Sequence, residues 1–515
     1  MRPAVLVTMS ALIYAVAFPP LALRALAWIA LVPLLVAIRM SSRSGALGLG
    51  ALWAFVMTFV TSDSLPRAVV NYYQQSAAVG WLLLFGATVV TMVPYYAAFA
   101  LCYWSLARRF HAALPLLTAA AWVGAELARV KILGGNPWSV SGYSQVGFLP
   151  LMQIADVAGV HGMSFVLVAV NASLAEAWLR RAALPPLARR TRRAHVATAT
   201  LVLGVLGYGA VRLAGIGESD FGMPTRIAVV QGNLDLGHQW RRDMYGRNLE
   251  EYLRLTWEAV RAASPALVFW PESAMTFFVA DEPRFQSAIA GVLRPGGVEL
   301  IAGGPRIEEH DRTAPLYFNS TFLLSPEGRI LGWQDKTKLL PFAEYFPLGG
   351  STLVLRDFGR ARQFSAGQRS APLASLAGQA GIVVCNEAMF PEPSRERVAA
   401  GAEYLVSPAN DSWFADLEYS LQAFDNVRLR SVEQRRFLVR TSTAGPSAIV
   451  DPLGRVIAVS RPFAAQWIAG SIRPGRGRTV YHRVGDLFAA ACAAAAMAAA
   501  IVASCNRVSS GRGSE

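Results

Sequence analysis

The sequence predicts a multi-span α-helical membrane bundle of about eight transmembrane helices that carries an α/β domain. Two observations predict this class. Over 515 residues the chain is 54% hydrophobic and only 16% charged, too apolar for an ordinary soluble protein. The apolar residues are also unevenly spread, in long, nearly uncharged runs on either side of residues 222 to 482 and in short runs with turn signals between.

The long runs are Ala4 to Phe18, Leu21 to Ile38, Ala46 to Thr61, Val79 to Trp104, Ala112 to Val130, Val157 to Leu179, Val196 to Leu213 and Leu487 to Val502. A crossing takes roughly 20 apolar residues, so the longer runs suffice alone and the shorter ones need their polar edges. Arg2 before the first run resembles a secretory signal, but further runs follow at once and the run reads as an uncleaved helix. Domain limits follow: 1–221 for seven spans, 222–482 for the α/β domain, and 483–515 for the last span and tail.

The net charge of +14 invites a nucleic-acid reading, but residues 1–221 hold 16 Lys/Arg against 6 Asp/Glu, whereas residues 222–482 hold 29 against 26. The excess therefore belongs to the membrane part. With Met1 cytoplasmic, Arg39, Arg43, Arg108, Arg109 and the cluster from Arg180 to Arg193 fall in cytoplasmic loops, as the positive-inside rule requires. Both termini are then expected in the cytoplasm and the α/β domain on the outer face of the membrane. Cys102, Cys492 and Cys505 lie in or beside spans, where a thiol behaves as a small apolar group. Cys385 stands alone in the outward domain, so no disulfide framework is expected.

Within that domain, Arg226 to Asn233, Ala266 to Ser273, Val298 to Gly304, Gly381 to Glu387 and Glu403 to Asp411 read as buried strands ending in polar or Gly/Pro residues. Asp243 to Ala263 and Leu421 to Gln434 read as helices, and SPEGR at Ser325 and DPLGR at Asp451 as hairpin turns. Strands alternating with helices imply layered α/β architecture.

Reactive groups in such domains gather where strands end. Cys385 reads as the last residue of a buried strand, poised at a strand-to-turn corner, Glu272 follows another strand in WPES, and Lys336 and Glu344 share WQDKTKLLPFAEYFP. Each alone has an ordinary explanation: a small core thiol, a helix cap, a surface ammonium. Together they can work. A thiol needs a base to become a thiolate, which Glu272 can supply in a dry pocket. Lys336 can hold the oxyanion formed when the thiol attacks an acyl carbonyl.

WPES around Glu272, KTKLLPFAEYFP beginning at Lys336 and VCNEAMFPE around Cys385, in that order, resemble the nitrilase superfamily, and more narrowly the apolipoprotein N-acyltransferase family. AFPP, GGNPWSVSGYSQ, VVQGN, SPANDSWF and VRLRSVEQRR extend the resemblance over nearly the whole chain. It implies an αββα sandwich on the membrane bundle and a two-step reaction. Cys385 would take an acyl chain from a phospholipid, typically phosphatidylethanolamine, as a thioester. The α-amine of a diacylglyceryl apolipoprotein would then receive it. Glu272, Lys336 and Cys385 are implied to be catalytic, Glu344 and Glu387 to be supporting acids, Asn386 to touch substrate, and Trp240 to sit on a loop over the site. No metal, nucleotide cofactor or nucleic acid is implied; the partners are membrane lipid and lipoprotein.

The sequence departs from the family pattern at Asn386, where Tyr is usual, at Lys338 in place of His, at Ala343 in place of Gly and at Ala423 in place of His. Two other readings fit less of the chain. A membrane-tethered amidase would need one anchor, and a transporter would place more ionisable groups inside spans than Glu126, Asp156 and Glu176.

Overall fold

The computed structural model describes residues 2–62, 64–180, 185–234, 244–310, 313–341, 343–345, 364–368, 371–414 and 416–510. The chain forms two compact units, one of residues Met1–Pro66, Ala78–Gly215 and Arg483–Glu515, the other of Arg67–Ala77 and Ile216–His482.

The first unit is helical, and every predicted apolar run meets helix. Among the described residues four helices are long and apolar enough to cross a membrane: Arg43–Thr61, Ala155–Leu179, Arg192–Gly215 and Leu487–Ser504. A fifth is counted if the pair Ala77–Thr91 and Val93–Arg109, bent by 40°, is one span. That is short of the eight expected, and the reasons are local. Leu21 to Ile38 is not one helix but a 3-10 turn, Arg24–Trp28, followed by Val32–Arg39. The run from Val79 breaks at Met92 because Pro94 offers no N–H and its ring clashes with the preceding turn. Leu114–Lys131 carries Glu126, Arg129 and Lys131, which take it out of the apolar class.

Among its described residues the second unit contains two six-stranded sheets. We number its strands β1 (Thr225–Gln231), β2 (Leu267–Phe269), β3 (Glu299–His310), β4 (Thr313–Leu324), β5 (Ile330–Asp335), β6 (Leu373–Ser375), β7 (Gly378–Ile382), β8 (Tyr404–Ala409), β9 (Leu438–Ser442), β10 (Ala448–Val450), β11 (Val456–Val459) and β12 (Gln466–Ile472). The first sheet runs β12-β1-β2-β3-β4-β5 and the second β11-β10-β9-β8-β7-β6. Each has a parallel centre, β1-β2-β3 and β7-β8-β9, with antiparallel flanks.

Alternation along the strands builds the layers, because successive side chains point to opposite faces. Ile227 and Val229 of β1, Phe269 of β2 and Ile301 of β3 pack against Ile382, Val406 and Val439 of the other sheet. The intervening Ala228, Val230, Val268 and Leu300 face Leu249, Tyr252 and Leu255 of helix Tyr245–Ala263 and Ile289 and Leu293 of helix Pro283–Leu293. On the outer side of the second sheet, Val383, Leu405 and Leu438 meet Val398 of helix Pro391–Ala399 and Phe424 and Val427 of helix Leu417–Gln434. The result is four layers, αββα.

The predicted strands are all present with shifted ends. β2 is only three residues long, while β3 runs on to His310. Helix Leu417–Gln434 begins four residues before the predicted Leu421, because the Asp416 side chain accepts the Glu418 N–H as an N-cap. Cys385 is the main correction. β7 ends at Ile382, and Cys385 opens a 3-10 turn, Cys385–Met389, with φ of +52°. The expected strand-to-turn corner is present, in a left-handed conformation, but the thiol lies beyond the strand and is not its last residue.

One close approach fixes the turn that carries Glu272. A Cβ added at Gly303 of β3 would lie 2.7 Å from the Glu272 Cα and from the Pro271 carbonyl oxygen, both backbone atoms that cannot swing aside. Gly303→Ala should therefore cost about 1–3 kcal/mol as overpacking and displace Glu272. A lowered denaturation midpoint together with lost reactivity of Cys385 checks this; an unchanged midpoint would contradict the packing argument.

Candidate active site

Glu272, Lys336 and Cys385, separated by 64 and then 49 residues, converge in the second unit, the first two from one sheet and the thiol from the other. Glu272 stands on the turn after β2. The indole of Trp270 donates to Thr256 Oγ1 at 2.8 Å, and the Met275 amide donates to the Gly303 carbonyl at 2.9 Å, so both ends of the turn are tied. Lys336 follows β5 directly; its amide donates to the Asn319 carbonyl on β4 at 2.8 Å, and its own carbonyl accepts from Gly367 at 2.8 Å.

The side chains form one network. The Lys336 ammonium, 2% exposed, lies 2.9 Å from Glu344 Oε1 and 3.5 Å from Glu272 Oε1. The Asn319 amide nitrogen donates to the same two oxygens, at 2.9 Å and 2.7 Å respectively. Glu344 is completed by the Leu340 amide, which donates to its Oε2 at 2.7 Å. The Cys385 thiol lies beside the Glu272 carboxylate, and the Asn410 backbone amide faces the sulfur. Cys385 itself is half-buried, so one side remains open to a reactant.

Glu387, fully buried, joins the loops from the two sheets. Its Oε1 accepts from the Thr337 amide and hydroxyl, each at 2.6 Å, and from the Lys338 amide at 2.8 Å; its Oε2 accepts from the Val384 amide at 2.8 Å. One carboxylate thus fixes the residues after Lys336 and the residue before Cys385. Four charge-assisted bonds are a strong tie in a dry site.

Burial sets the electrostatics. Desolvation raises Glu272 above the ordinary carboxylate range, partly offset by the Lys336 charge and reinforced by Glu344. Burial opposes the charge on Lys336, but Glu344 and then Glu272 outweigh it and hold the ammonium above its ordinary range. Burial and the Glu272 charge push the Cys385 thiol well up, with Lys336 and the Asn410 amide pulling the other way. The arrangement is a thiol beside a carboxylate and a cation. Such a group can lose its proton to the carboxylate as it attacks, with the cation and amides available to a developing oxyanion.

The remaining expected residues divide. Asn386 is buried beside Cys385; its amide nitrogen reaches the Lys338 carbonyl at 3.5 Å, and its Oδ1 has no hydrogen-bond partner among the described residues. Lys338, another departure, holds its ammonium 3.1 Å from the centre of the Phe390 ring. Trp240 lies outside the described residues. Two participants were missed by sequence reasoning. Asn319 had a signal, since the polar run Asn319-Ser320-Thr321 inside a strand with Phe318, Phe322 and Leu323 requires buried partners. Asn410 lay within a recognised strand end but gave no sign that its backbone amide, not its side chain, would meet the thiol.

Two family models match this chain. Residues 10–173 match the apolipoprotein N-acyltransferase N-terminal domain, and residues 226–480 match carbon-nitrogen hydrolase. The apolipoprotein N-acyltransferase of Geobacter metallireducens is 35% identical over 98% of this chain and 95% of its own length. The chain belongs to the apolipoprotein N-acyltransferase family. The enzyme of that name from Azotobacter vinelandii is 30% identical over 90% of this chain and 88% of its own. A solved carbon-nitrogen hydrolase from Helicobacter pylori G27 overlies 52% of this chain and 94% of its own at 17% identity, with a TM-score of 0.38, too loose to bear on the assignment.

For this member of the apolipoprotein N-acyltransferase family the network makes two predictions. In Lys336→Met the cation that opposes burial and Glu272 at the thiol is gone. Alkylation of Cys385 by iodoacetamide should then slow at neutral pH and its half-maximal rate should move to higher pH. An unchanged pH profile would mean that Lys336 does not act on the thiol. Glu387→Gln keeps the shape of the clamp but removes its charge, at a cost of about 1.5–3 kcal/mol, read as a lower denaturation midpoint with slower alkylation.

Proposed function

We propose that this protein is an acyltransferase that N-acylates apolipoproteins, taking the acyl chain from a phospholipid, with phosphatidylethanolamine the expected donor. Cys385, Glu272 and Lys336 are its catalytic residues. In the first half-reaction the Cys385 sulfur attacks the ester carbonyl carbon while Glu272 takes the thiol proton. Lys336 and the Asn410 amide stand beside the developing oxyanion. As the tetrahedral species collapses, the carbon–oxygen bond breaks, Glu272 returns the proton to the leaving glyceryl oxygen, and a lysophospholipid departs from the thioester.

In the second half-reaction the α-amine of an N-terminal diacylglyceryl-cysteine attacks the thioester carbonyl. Its proton passes through Glu272 to the departing thiolate, leaving an amide and a regenerated thiol. Glu344 keeps Lys336 charged and in place, Glu387 fixes both loops, and Asn386 contacts substrate beside the sulfur. Both substrates are lipids held in a bilayer, so a site fixed at the membrane surface lets acyl chains enter without crossing water. The reading keeps eight crossings of the bacterial inner membrane, a periplasmic catalytic domain and cytoplasmic termini.

The single observation that carries it is the convergence of the thiol, one carboxylate and one buried ammonium in a chain alike over 98% of its length to a named apolipoprotein N-acyltransferase. Intact-mass analysis of the purified protein in detergent with phosphatidylethanolamine tests it. An acyl adduct should form, be absent in Cys385→Ala, and transfer to a diacylated lipopeptide. If neither adduct nor lysophospholipid is produced, the donor assignment fails and hydrolysis of small amides becomes the reading to test.

A further inference from the structure

The second unit takes in a short piece of chain from far upstream, Arg67–Ala77, which the sequence places between two apolar runs. Its contacts converge on the turn after β8. The Tyr72 ring stacks on Trp413 with centroids 4.1 Å apart and planes 18° apart, and Tyr73 packs edge-on against Tyr72 at 4.9 Å. Arg67 lies 3.8 Å from Asp416 Oδ1, the oxygen that caps helix Leu417–Gln434.

That turn belongs to the site. It starts at Asn410, whose amide faces the Cys385 sulfur, and continues as the 3-10 turn Asp411–Trp413. On its inner side it is tied down: Asp411 Oδ2 accepts from Arg440 at 2.6 Å and from the Ser442 hydroxyl at 2.9 Å, and Asn410 Oδ1 accepts from Thr443 at 2.5 Å. Its outer side meets the Tyr72 ring and Arg67. Both Tyr72 and Trp413 are only partly buried, so neither ring is needed to fill a core. A stacked pair of rings is a stiff, directional contact, which suits it to setting the position of a turn.

We propose that Tyr72 is a positioning residue for acyl transfer, acting through Trp413 to hold the Asn410 amide against the sulfur of Cys385. The inference rests on the acyltransferase reading for its effect on turnover, but the geometry it invokes is open to test without a substrate.

In the full-length protein in detergent, Tyr72→Ala should slow single-turnover formation of the Cys385 acyl adduct by about tenfold at saturating phosphatidylethanolamine, the scale of a small positional error at a reacting centre. The donor concentration for half-maximal rate should stay within about twofold. Tyr72→Phe, which keeps the stack, should restore the rate, and Tyr72→Ala with Trp413→Ala should fall no further than either alone. Iodoacetamide alkylation of Cys385 should slow in Tyr72→Ala and recover in Tyr72→Phe. If Tyr72→Ala does not accumulate as folded protein, Tyr72→Leu, bulky but unable to stack, takes its place. Adduct formation and alkylation equal to the parent's, or losses in the double variant that multiply, would overturn the proposal. If the parent forms no adduct, the acyltransferase reading fails, and the alkylation series still decides whether Tyr72 positions the turn.

Discussion

One ammonium shared by two carboxylates out of contact with water is the constraint on which the α/β unit depends. A charge on Lys336 without partners would cost several kcal/mol in so dry a place. Glu344 at 2.9 Å and Glu272 at 3.5 Å make it tolerable, and Asn319 donates to both. The excess of negative charge is what keeps Glu272 basic. It faces a neighbouring carboxylate and a desolvated setting at once, and both favour taking a proton. The rest of the unit serves to hold these groups: Gly303 lets the Glu272 turn lie on β3, and Glu387 ties the loop after β5 to the corner before Cys385.

Cys385, the proposed nucleophile, is held by other means. Its left-handed φ lifts Cys385 off the line of β7 at the opening of a 3-10 turn. Such a conformation persists only where neighbours over-determine it, and here the Glu387 carboxylate caps the preceding amide while buried Arg397 donates to the Ile382 carbonyl at 2.8 Å. A strand interior could not present a thiol in this way, because its side chains are committed to one face or the other.

In the helical unit, buried charge has a structural use. Glu126 accepts from the Trp122 indole at 2.9 Å and from the Ser141 amide and hydroxyl at 2.8 and 2.7 Å, which pins the GGNPWSVSGYSQ segment. Asp156 meets Tyr208 at 2.7 Å and Arg212 at 3.0 Å, and Glu176 meets Arg180 at 2.5 Å. The three carboxylates considered for a transport path are therefore engaged in holding helices and loops together. Polar groups in apolar surroundings find partners or are not kept.

Much of this was legible in the residues themselves. Long apolar runs marked the helices, and short ones ending in WPES, VCNE and SPAND marked the strands whose ends bear the site. Those features are local, written in hydropathy and in Pro, Gly and charged residues within a few positions of one another. Spans broken by Pro94 or by a turn at Arg24–Trp28, the left-handed φ of Cys385 beyond the end of β7, and the parts played by Asn319, the Asn410 amide and Tyr72 were settled only by tertiary structure. The physical reason is that desolvation and close contact are properties of packing. The sequence determined which residues could be acid, base, cation and nucleophile, whereas the meeting of two sheets decided which of them share one dry site and therefore which charges answer to one another.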